Sequence, residues 1–179
     1  MEPDEISHAD QDAPSPSYAA TMLLDGVNHV AILTKDTQRL VRFYQEVCDA
    51  TVSGQVQAGE GALLTFIDIG PSAELNVFEV KGNTEAERQT PMFDRGRIDH
   101  LGLQAASLEA FDTIRDRLTA RGATDGFVTD FGAILSLFFR DPDGLEGEVC
   151  VANPNAEAGV RNPPGTPAAG YSVVEEPDR

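Results

Sequence analysis

The chain carries one pattern of residues twice. Each copy begins with a histidine in a short apolar run, continues with an amphipathic helical pattern and several strand-like runs, and ends with a glutamate in a further apolar run. Glu79 lies 50 residues after His29, and Glu148 lies 48 residues after His100. Because each copy must form the same supersecondary unit, this repeat limits the possible folds more than any other feature of the sequence.

Length and composition fit one domain built from two similar halves. The chain has 179 residues, of which 41% are hydrophobic, enough for a single sizeable core. No run approaches the roughly 20 apolar residues of a membrane span. The acidic, polar residues 1–16 predict neither a secretory signal nor a transit peptide.

Charge and cysteine content restrict the partners and the compartment. The formal net charge of −17 argues against nucleic acid and against an anionic membrane as partners. The partner that we expect is a small-molecule substrate. The two cysteines, Cys48 and Cys150, lie in apolar patterns and are too few for a disulfide framework. We expect buried free thiols and a cytoplasmic protein.

Each half predicts the order strand, helix, strand, strand, strand. The first helix is predicted at residues 37–48 with Asp36 as its N-cap, and the second begins after the N-cap Ser107 and stops before Gly122. Each crossover helix must lie on one face of its sheet, which predicts an α+β fold of two tandem βαβββ modules. The predicted organisation is a flexible acidic tail (1–24), a first module (25–82), a linker (83–96), a second module (97–152) and a Pro-rich irregular tail (153–179).

The second face of each predicted sheet is free to carry a site. Side chains alternate along a strand, so Glu148 shares its face with Glu146, which competes with it for the same role. If the two sheets curl toward each other, one set of polar side chains converges: His29, Glu79, His100 and Glu148.

Two imidazoles and two carboxylates suit one divalent ion, namely zinc, nickel, cobalt, manganese or iron(II). A lone histidine in a strand is commonly a hydrogen-bonded structural residue, and a lone glutamate commonly lies at a sheet edge. Four such residues at matched places in two repeats favour a metal site, because a buried glutamate without a partner is costly. An octahedral ion with four protein ligands keeps two positions for substrate oxygens.

The sequence resembles the vicinal oxygen chelate superfamily, which includes glyoxalase I, bleomycin-resistance proteins, extradiol dioxygenases and methylmalonyl-CoA epimerase. The resemblance covers about residues 25–152. Its marks are Asn28-His29-Val30, Phe43-Tyr44, Asp99-His100-Leu101, and the turn Asp141-Pro142-Asp143-Gly144 with a glutamate four residues after the glycine. The resemblance implies paired βαβββ modules whose curved half-barrel sheets enclose a metal cleft.

Within that superfamily, metal-dependent glyoxalase I enzymes carry ligands on the first, fourth, fifth and eighth strands. Those places here hold His29, Glu79, His100 and Glu148. The resemblance therefore implies a glyoxalase-like lyase or isomerase with one divalent ion. Proton transfer through a metal-bound enediolate would use Glu148 or Glu79 as the base, and the sequence does not choose between them. The resemblance also implies a homodimer, with the cleft shared between subunits in some members.

Two other functions stay open. Extradiol dioxygenases use two histidines and one glutamate, so a ring-cleaving dioxygenase predicts that Glu79 lies off the metal. A drug-binding resistance module predicts no bound metal. Two residues are candidates for substrate binding: Asn83, which matches an asparagine of glutathione-using glyoxalases, and Arg97, a possible anchor for an anionic substrate. Leu33 stands where those glyoxalases have an arginine, which disfavours glutathione.

Overall fold

Each half of the chain forms one four-stranded sheet in the structure, a computed structural model that describes residues 23, 26–88, 90, 92–94 and 96–171. The first module contains β1 (His29–Thr34), α1 (Thr37–Cys48), β2 (Thr51–Gln57), β3 (Ala62–Asp68) and β4 (Glu74–Val80). The second module contains β5 (Leu101–Gln104), α2 (Leu108–Ala120), β6 (Val128–Asp130), β7 (Ile134–Arg140) and β8 (Glu146–Ala152). The predicted α+β class and βαβββ order are confirmed.

Both sheets have the same topology. The strand orders are β1-β4-β3-β2 and β5-β8-β7-β6, with the first and last strands of each module parallel and the other neighbours antiparallel. The sheets stay open and do not close into barrels. β5 begins four residues after the start of the predicted second module (97–152), because its ladder with β8 starts at the pair Leu101 and Gly147. The predicted N-terminal tail (1–24), apart from Leu23, and residues 172–179 lie outside the described residues.

The helix boundaries follow from local sequence. The Asp36 side chain accepts a hydrogen bond from the backbone N–H of Arg39, and the Ser107 hydroxyl accepts one from the N–H of Ala110. Both are N-caps that satisfy a backbone donor without an intrahelical partner. Leu40 lies on the side of α1 that is buried against the core. The two predicted caps are confirmed.

One apolar core serves both modules. The helix-covered faces of the two sheets contribute to a single cluster, in which Leu75 and Val77 of β4 and Val149 of β8 are fully or almost fully buried. Phe43 of α1 stacks on Phe139 of β7 across the modules, with ring centroids 6.1 Å apart. Because both sheets bury their helix-covered faces in this shared core, the two opposite faces point away from it.

We call these opposite faces the open faces. The open face of the first sheet includes His29, Ala31, Leu33, Asn76 and Phe78. The open face of the second sheet includes His100, just before β5, and Gly102, Phe138, Arg140, Glu146 and Glu148.

The turn between β7 and β8 joins the modules. Asp143 is almost completely buried, and its carboxylate accepts hydrogen bonds from the Thr34 hydroxyl (2.5 Å) and the Arg39 guanidinium (2.5 Å) of the first module. Asp141 closes the turn itself, because its carboxylate accepts from the backbone N–H groups of Asp143 (2.9 Å) and Leu145 (2.8 Å). The two aspartates therefore have separate tasks, one within the turn and one between modules.

Asp141 gives the fold a predicted pH dependence. Burial raises its pKa to about 6; the backbone hydrogen bond from Leu145 opposes the rise, and the charge of Asp143 adds to it. An unfolded aspartate has a pKa of about 3.9, so the folded state holds this proton more tightly and stability falls as the pH rises from about 4 to about 6.

We expect Asp141→Asn, which keeps an acceptor oxygen, to abolish this contribution. Between pH 4 and pH 7, wild type should lose up to about 3 kcal/mol of unfolding free energy relative to the variant. Urea denaturation of both proteins at each pH measures the difference. Parallel pH profiles for the two proteins would show that Asp141 is ionised equally easily in the folded and unfolded chains.

The described part of the Pro-rich tail lies along the edge of the second sheet. Pro167 bridges Thr129 of β6, and the N–H of Asp130 donates to the carbonyl of Thr166 (2.8 Å). Tyr171 then packs edge-on against Phe111 of α2. The tail therefore covers a strand edge that would otherwise offer free backbone groups. In the part of the chain described, no helix is long and apolar enough to cross a membrane.

Candidate functional site

A histidine and a glutamate meet on the open face of the second sheet. His100 Nε2 lies 3.3 Å from Glu148 Oε2, and both side chains are partly buried. The other ring nitrogen, Nδ1, lies 2.9 Å from the Asp99 carboxylate. A carboxylate on one ring nitrogen fixes the orientation of an imidazole and leaves the other nitrogen for a ligand, which is the usual arrangement behind a metal-binding histidine.

Ser136 and Cys150 surround the Glu148 carboxylate. The Ser136 hydroxyl, which is fully buried, donates a short hydrogen bond to Glu148 Oε1. Burial raises the pKa of the Cys150 thiol to about 12, and the charge of Glu148 and a hydrogen bond to it add to the rise. A thiol with so high a pKa is protonated at neutral pH and is a poor nucleophile. Ser136 holds one carboxylate oxygen of Glu148, while the other faces His100.

The open face of the first sheet carries the counterpart of this pair. His29 is exposed, and its Nδ1 lies 2.8 Å from the Asn28 side-chain oxygen. In the ladders, Ala31 pairs with Asn76 as Gly102 pairs with Glu148. Asn76 therefore occupies the place of Glu148 in the first module. Its side-chain oxygen is buried and has no hydrogen-bond partner among the described residues.

Glu79 lies on the other face of the first sheet. Along β4, the Glu79 side chain points to the opposite face from Asn76 and to the same face as the buried Leu75 and Val77. Its carboxylate accepts a hydrogen bond from the backbone N–H of Thr37, the first residue of α1, at 2.9 Å. The expected convergence of Glu79 with the other three candidates therefore does not occur. A ligand on the open face cannot share the side of the core residues, because successive side chains point to opposite faces.

The position of Glu79 predicts a structural effect on substitution. A carboxylate at a helix N-terminus satisfies a free N–H group and interacts favourably with the helix dipole. We expect Glu79→Ala to lower the free energy of unfolding by about 1 kcal/mol and to leave metal affinity unchanged. Thermal denaturation and calorimetric metal titration measure the two effects. A loss of metal binding with unchanged stability would place Glu79 in the site.

The described residues of one chain do not assemble a complete metal site. They contain no group of three or more histidine, cysteine, aspartate or glutamate side chains able to hold one ion. His100 and Glu148 supply two suitable donors, and His29 lies on a face that points away from the shared core, as their own face does. The donor chemistry fits a divalent ion, and the unpartnered oxygen of Asn76 fits a further ligand position. Each chain therefore presents two separate groups of donors, which we call half-sites: His100 with Glu148, and His29 with Asn76.

The two candidates for substrate binding lie elsewhere. The side-chain oxygen of Asn83 accepts hydrogen bonds from the backbone N–H groups of Glu85 (2.9 Å) and Ala86 (3.2 Å), so Asn83 caps the short 3-10 helix Glu85–Glu87 of the linker. Arg97 is exposed, three residues before His100. Glu146, the competitor of Glu148, forms an ion pair with Arg140 at 3.1 Å.

Sequence reasoning assigned no role to Ser136 or Asn76. Ser136 was detectable as the one polar residue in an otherwise apolar run of β7. Phe138, two residues further along, contacts the His100 ring edge-on at 5.6 Å between centroids. Asn76 had a weaker signal: it lies 47 residues after His29, close to the 48 that separate Glu148 from His100.

A cleft of about 610 Å³ lies between the modules, beside these half-sites. It is lined by open-face residues of β1, by the linker and by the β7–β8 turn, including Leu33, Ile98, Asp99 and Gly144. Asp99 links the cleft to His100. His29 and Glu148 do not line the cleft within a single chain.

Comparison with protein families finds one match. The Glyoxalase/Bleomycin resistance protein/Dioxygenase superfamily matches residues 26–149 of the chain. No curated protein sequence gives a significant match.

Solved structures share the fold at low sequence identity. The glyoxylase/bleomycin resistance protein/dioxygenase domain from Frankia sp. EAN1pec is similar with a TM-score of 0.60 and 24% identity, over 74% of this chain and 95% of that one. A mutant of the fosfomycin resistance protein FosX from Listeria monocytogenes, complexed with Mn(II) and 1S,2S-dihydroxypropylphosphonic acid, has a TM-score of 0.53 and 18% identity, over 71% and 92%. The trypanothione-dependent glyoxalase I of Leishmania major has a TM-score of 0.52 and 21% identity, over 69% and 84%.

Proposed function

The chain belongs to the Glyoxalase/Bleomycin resistance protein/Dioxygenase superfamily, and we propose that it is a divalent-metal-dependent, glyoxalase-like lyase or isomerase. Its substrate in this proposal is a small molecule with two neighbouring oxygen atoms. One observation carries the proposal: His100 and Glu148 face each other at 3.3 Å, and Asp99 and Ser136 hold their remaining polar atoms. Metal-ligating histidines and carboxylates are typically held by such outer hydrogen-bond partners.

The proposed site is completed by a second copy of the chain. His100 and Glu148 of one subunit would hold the ion together with the partner subunit's His29 and the partner's Asn76. Two facts support a homodimer: both open faces point away from the core, and neither half-site holds enough donors alone. The FosX relative, which shares the fold, holds Mn(II).

The residues of the site suit proton transfer on carbon. A bound divalent ion supplies stabilisation of negative charge that develops on two neighbouring substrate oxygens. Of the two candidate bases, Glu79 and Glu148, only Glu148 lies on an open face, so Glu148 is the proposed base. Ser136 holds Oε1 of Glu148 by a hydrogen bond, and Oε2, which faces His100, would leave the ion to take the proton. Phe138 packs edge-on against His100 and gives the site one apolar side.

A ring-cleaving dioxygenase is the second candidate, and the position of Glu79 favours it. With Glu79 on the helix-covered face, the proposed set has two histidines, one carboxylate and a neutral Asn76. Two histidines and one carboxylate are the usual ligands of non-haem iron(II) oxygenases, which need open positions for substrate and oxygen.

Metal titration followed by two reaction assays tests the proposal. We expect calorimetry to show one Mn²⁺, Ni²⁺, Zn²⁺, Co²⁺ or Fe²⁺ bound per chain. The loaded protein should then exchange the carbon-bound proton of an α-hydroxy ketone with solvent deuterium, measured by NMR. Oxygen uptake with catechols and Fe²⁺, without deuterium exchange, would establish the dioxygenase instead. Absence of metal binding would reject both enzymes and favour a drug-binding module.

A further inference from the structure

We propose that Arg140 binds an anionic group of the substrate, and that the substrate class is therefore a vicinal-oxygen compound carrying a separate carboxylate. This inference rests on the proposed function and adds the charge of the substrate to it. Arg140 is the last residue of β7, and its side chain lies on the open face of the second sheet, because it pairs there with Glu146.

The position of Arg140 is beside the His100–Glu148 pair. Arg140 pairs in register with Glu146 of β8, one residue before the pair of Gly147 with Phe139. His100 directly precedes Leu101, which pairs with that same Gly147 from the other side. His100 and Arg140 are thus two strand spacings apart, roughly 10 Å between their Cα atoms.

The guanidinium is held at one edge and open at the other. Its Nε donates to Glu146 Oε2 at 3.1 Å, while its terminal nitrogens donate to no side chain in the part of the chain that the structure describes. The Arg140 side chain is 62% exposed, whereas that of Glu146 is 10% exposed. The buried Glu146 carboxylate therefore holds the Nε edge of the exposed Arg140 guanidinium. The outer fork of an arginine fits a carboxylate through two parallel hydrogen bonds.

The positive charge available to an anion at the proposed site is local. A divalent ion held by His100 and Glu148 would add two positive charges to that of Arg140, beside the carboxylates of Glu148, Glu146 and Asp99. The chain as a whole has a net charge of −17, so attraction of an anion depends on local cations.

Among the described residues, the other cations near the cleft lie off the open face of the second sheet. Lys35, just after β1, forms an ion pair with Glu87, and Arg88, in the linker, forms one with Glu85. Arg97 precedes β5 and is exposed, and no ladder pair places it on the open face. Among the described residues of β5 to β8, Arg140 is therefore the cation that a ladder pair places on the open face of His100 and Glu148. The spacing fits a carboxylate separated from the two oxygens by about one aromatic ring.

The test uses an anionic probe and its neutral ester. The anionic probe is 3,4-dihydroxybenzoate, which has two neighbouring oxygens and a distant carboxylate, and the neutral probe is its methyl ester. Binding of each to the Mn²⁺-loaded protein is measured by calorimetry for wild type, Arg140→Gln and the control Arg97→Gln. We expect Arg140→Gln to weaken binding of the acid about 10- to 100-fold and to leave binding of the ester and of Mn²⁺ unchanged. Arg97→Gln should change neither probe.

The outcomes separate this inference from the proposed function. If wild type binds the ester and the acid equally and Arg140→Gln changes neither, the anion site is rejected while the metal site stands. A selective loss of acid binding in Arg97→Gln alone would also reject the role of Arg140. If wild type binds neither Mn²⁺ nor either probe, the proposed function and this inference both fail.

Discussion

His29→Ala and His100→Ala should each abolish metal binding, although the two histidines lie in different half-sites of the chain. The reason is the proposed assembly, in which every ion takes one histidine from each of two subunits. Loss of an imidazole ligand should lower metal affinity by more than about 100-fold, since even loss of an outer hydrogen-bond partner of a ligand costs 10- to 100-fold. Calorimetric titration with Mn²⁺ and Zn²⁺ measures the affinity, and circular dichroism shows that each variant is folded.

Mixing the two variants then distinguishes a shared site from a site within one chain. In a heterodimer of His29→Ala and His100→Ala subunits, one of the two sites has lost both histidines and the other is intact. A one-to-one mixture after subunit exchange contains half heterodimers, so about a quarter of the wild-type metal capacity should return. A site built within one chain would recover nothing, because every chain in the mixture has lost one ligand.

A matched control uses two variants of the same half-site. His100→Ala mixed with Glu148→Gln leaves every site without one ligand, so we expect no recovery of metal binding. Recovery in this control would show that His100 and Glu148 act in different sites. Wild-type metal affinity in either single histidine variant would reject that histidine as a ligand.

The repeat in the sequence was sufficient to predict the fold. The alternation of apolar residues, the N-caps Asp36 and Ser107 and the turn at residues 141–144 each specify local structure, and the structure confirms the element order that they predict. Strand pairing within a module follows from this order, because a crossover helix and short turns leave few alternatives. These signals are local or periodic, so they can be recognised in a single sequence.

The composition of the site was less predictable, because it depends on register. Glu79 and Asn76 differ by three positions, and an odd shift moves a side chain to the opposite face of a sheet. Glu79 alternates onto the side of Leu75 and Val77, which are core residues, so strand alternation places it away from the open face. The residue count favours Asn76, which lies 47 residues after His29, whereas the residue type favours Glu79, and the register of the sheet separates the two.

The direction in which the two open faces point could not be predicted from the sequence. It depends on how the modules pack, which is set by long-range contacts such as the stacking of Phe43 on Phe139 and the burial of Asp143 against Thr34. Phe43, Thr34 and Asp143 carried no individual signal for a contact between modules. A face that points inward and one that points outward have the same alternation, and only tertiary packing distinguishes them.

Asp143→Ala should destabilise the fold by about 3 kcal/mol, the largest effect that we expect from a single side chain outside the core. The Asp143 side chain is 4% exposed and accepts from the Thr34 hydroxyl, the Arg39 guanidinium and, at 3.4 Å, the backbone N–H of Lys35. Removal leaves a buried hydroxyl and a charged group without their partner, and such losses cost more than the hydrogen bonds themselves contribute.

Arg39→Ala provides the matched control, because it removes the other member of the ion pair. The Arg39 side chain is 44% exposed, so water can take the place of the guanidinium beside Asp143, which keeps its hydrogen bonds from Thr34 and Lys35. We therefore expect a loss of about 1 kcal/mol, smaller than that of Asp143→Ala. Urea denaturation of wild type, both single variants and the double variant gives the four free energies of unfolding. If Asp143→Ala costs no more than Arg39→Ala, the carboxylate acts only as a surface ion pair. A much larger cost for Asp143→Ala means that one buried carboxylate sets the packing of the modules, and with it the direction in which each half-site faces.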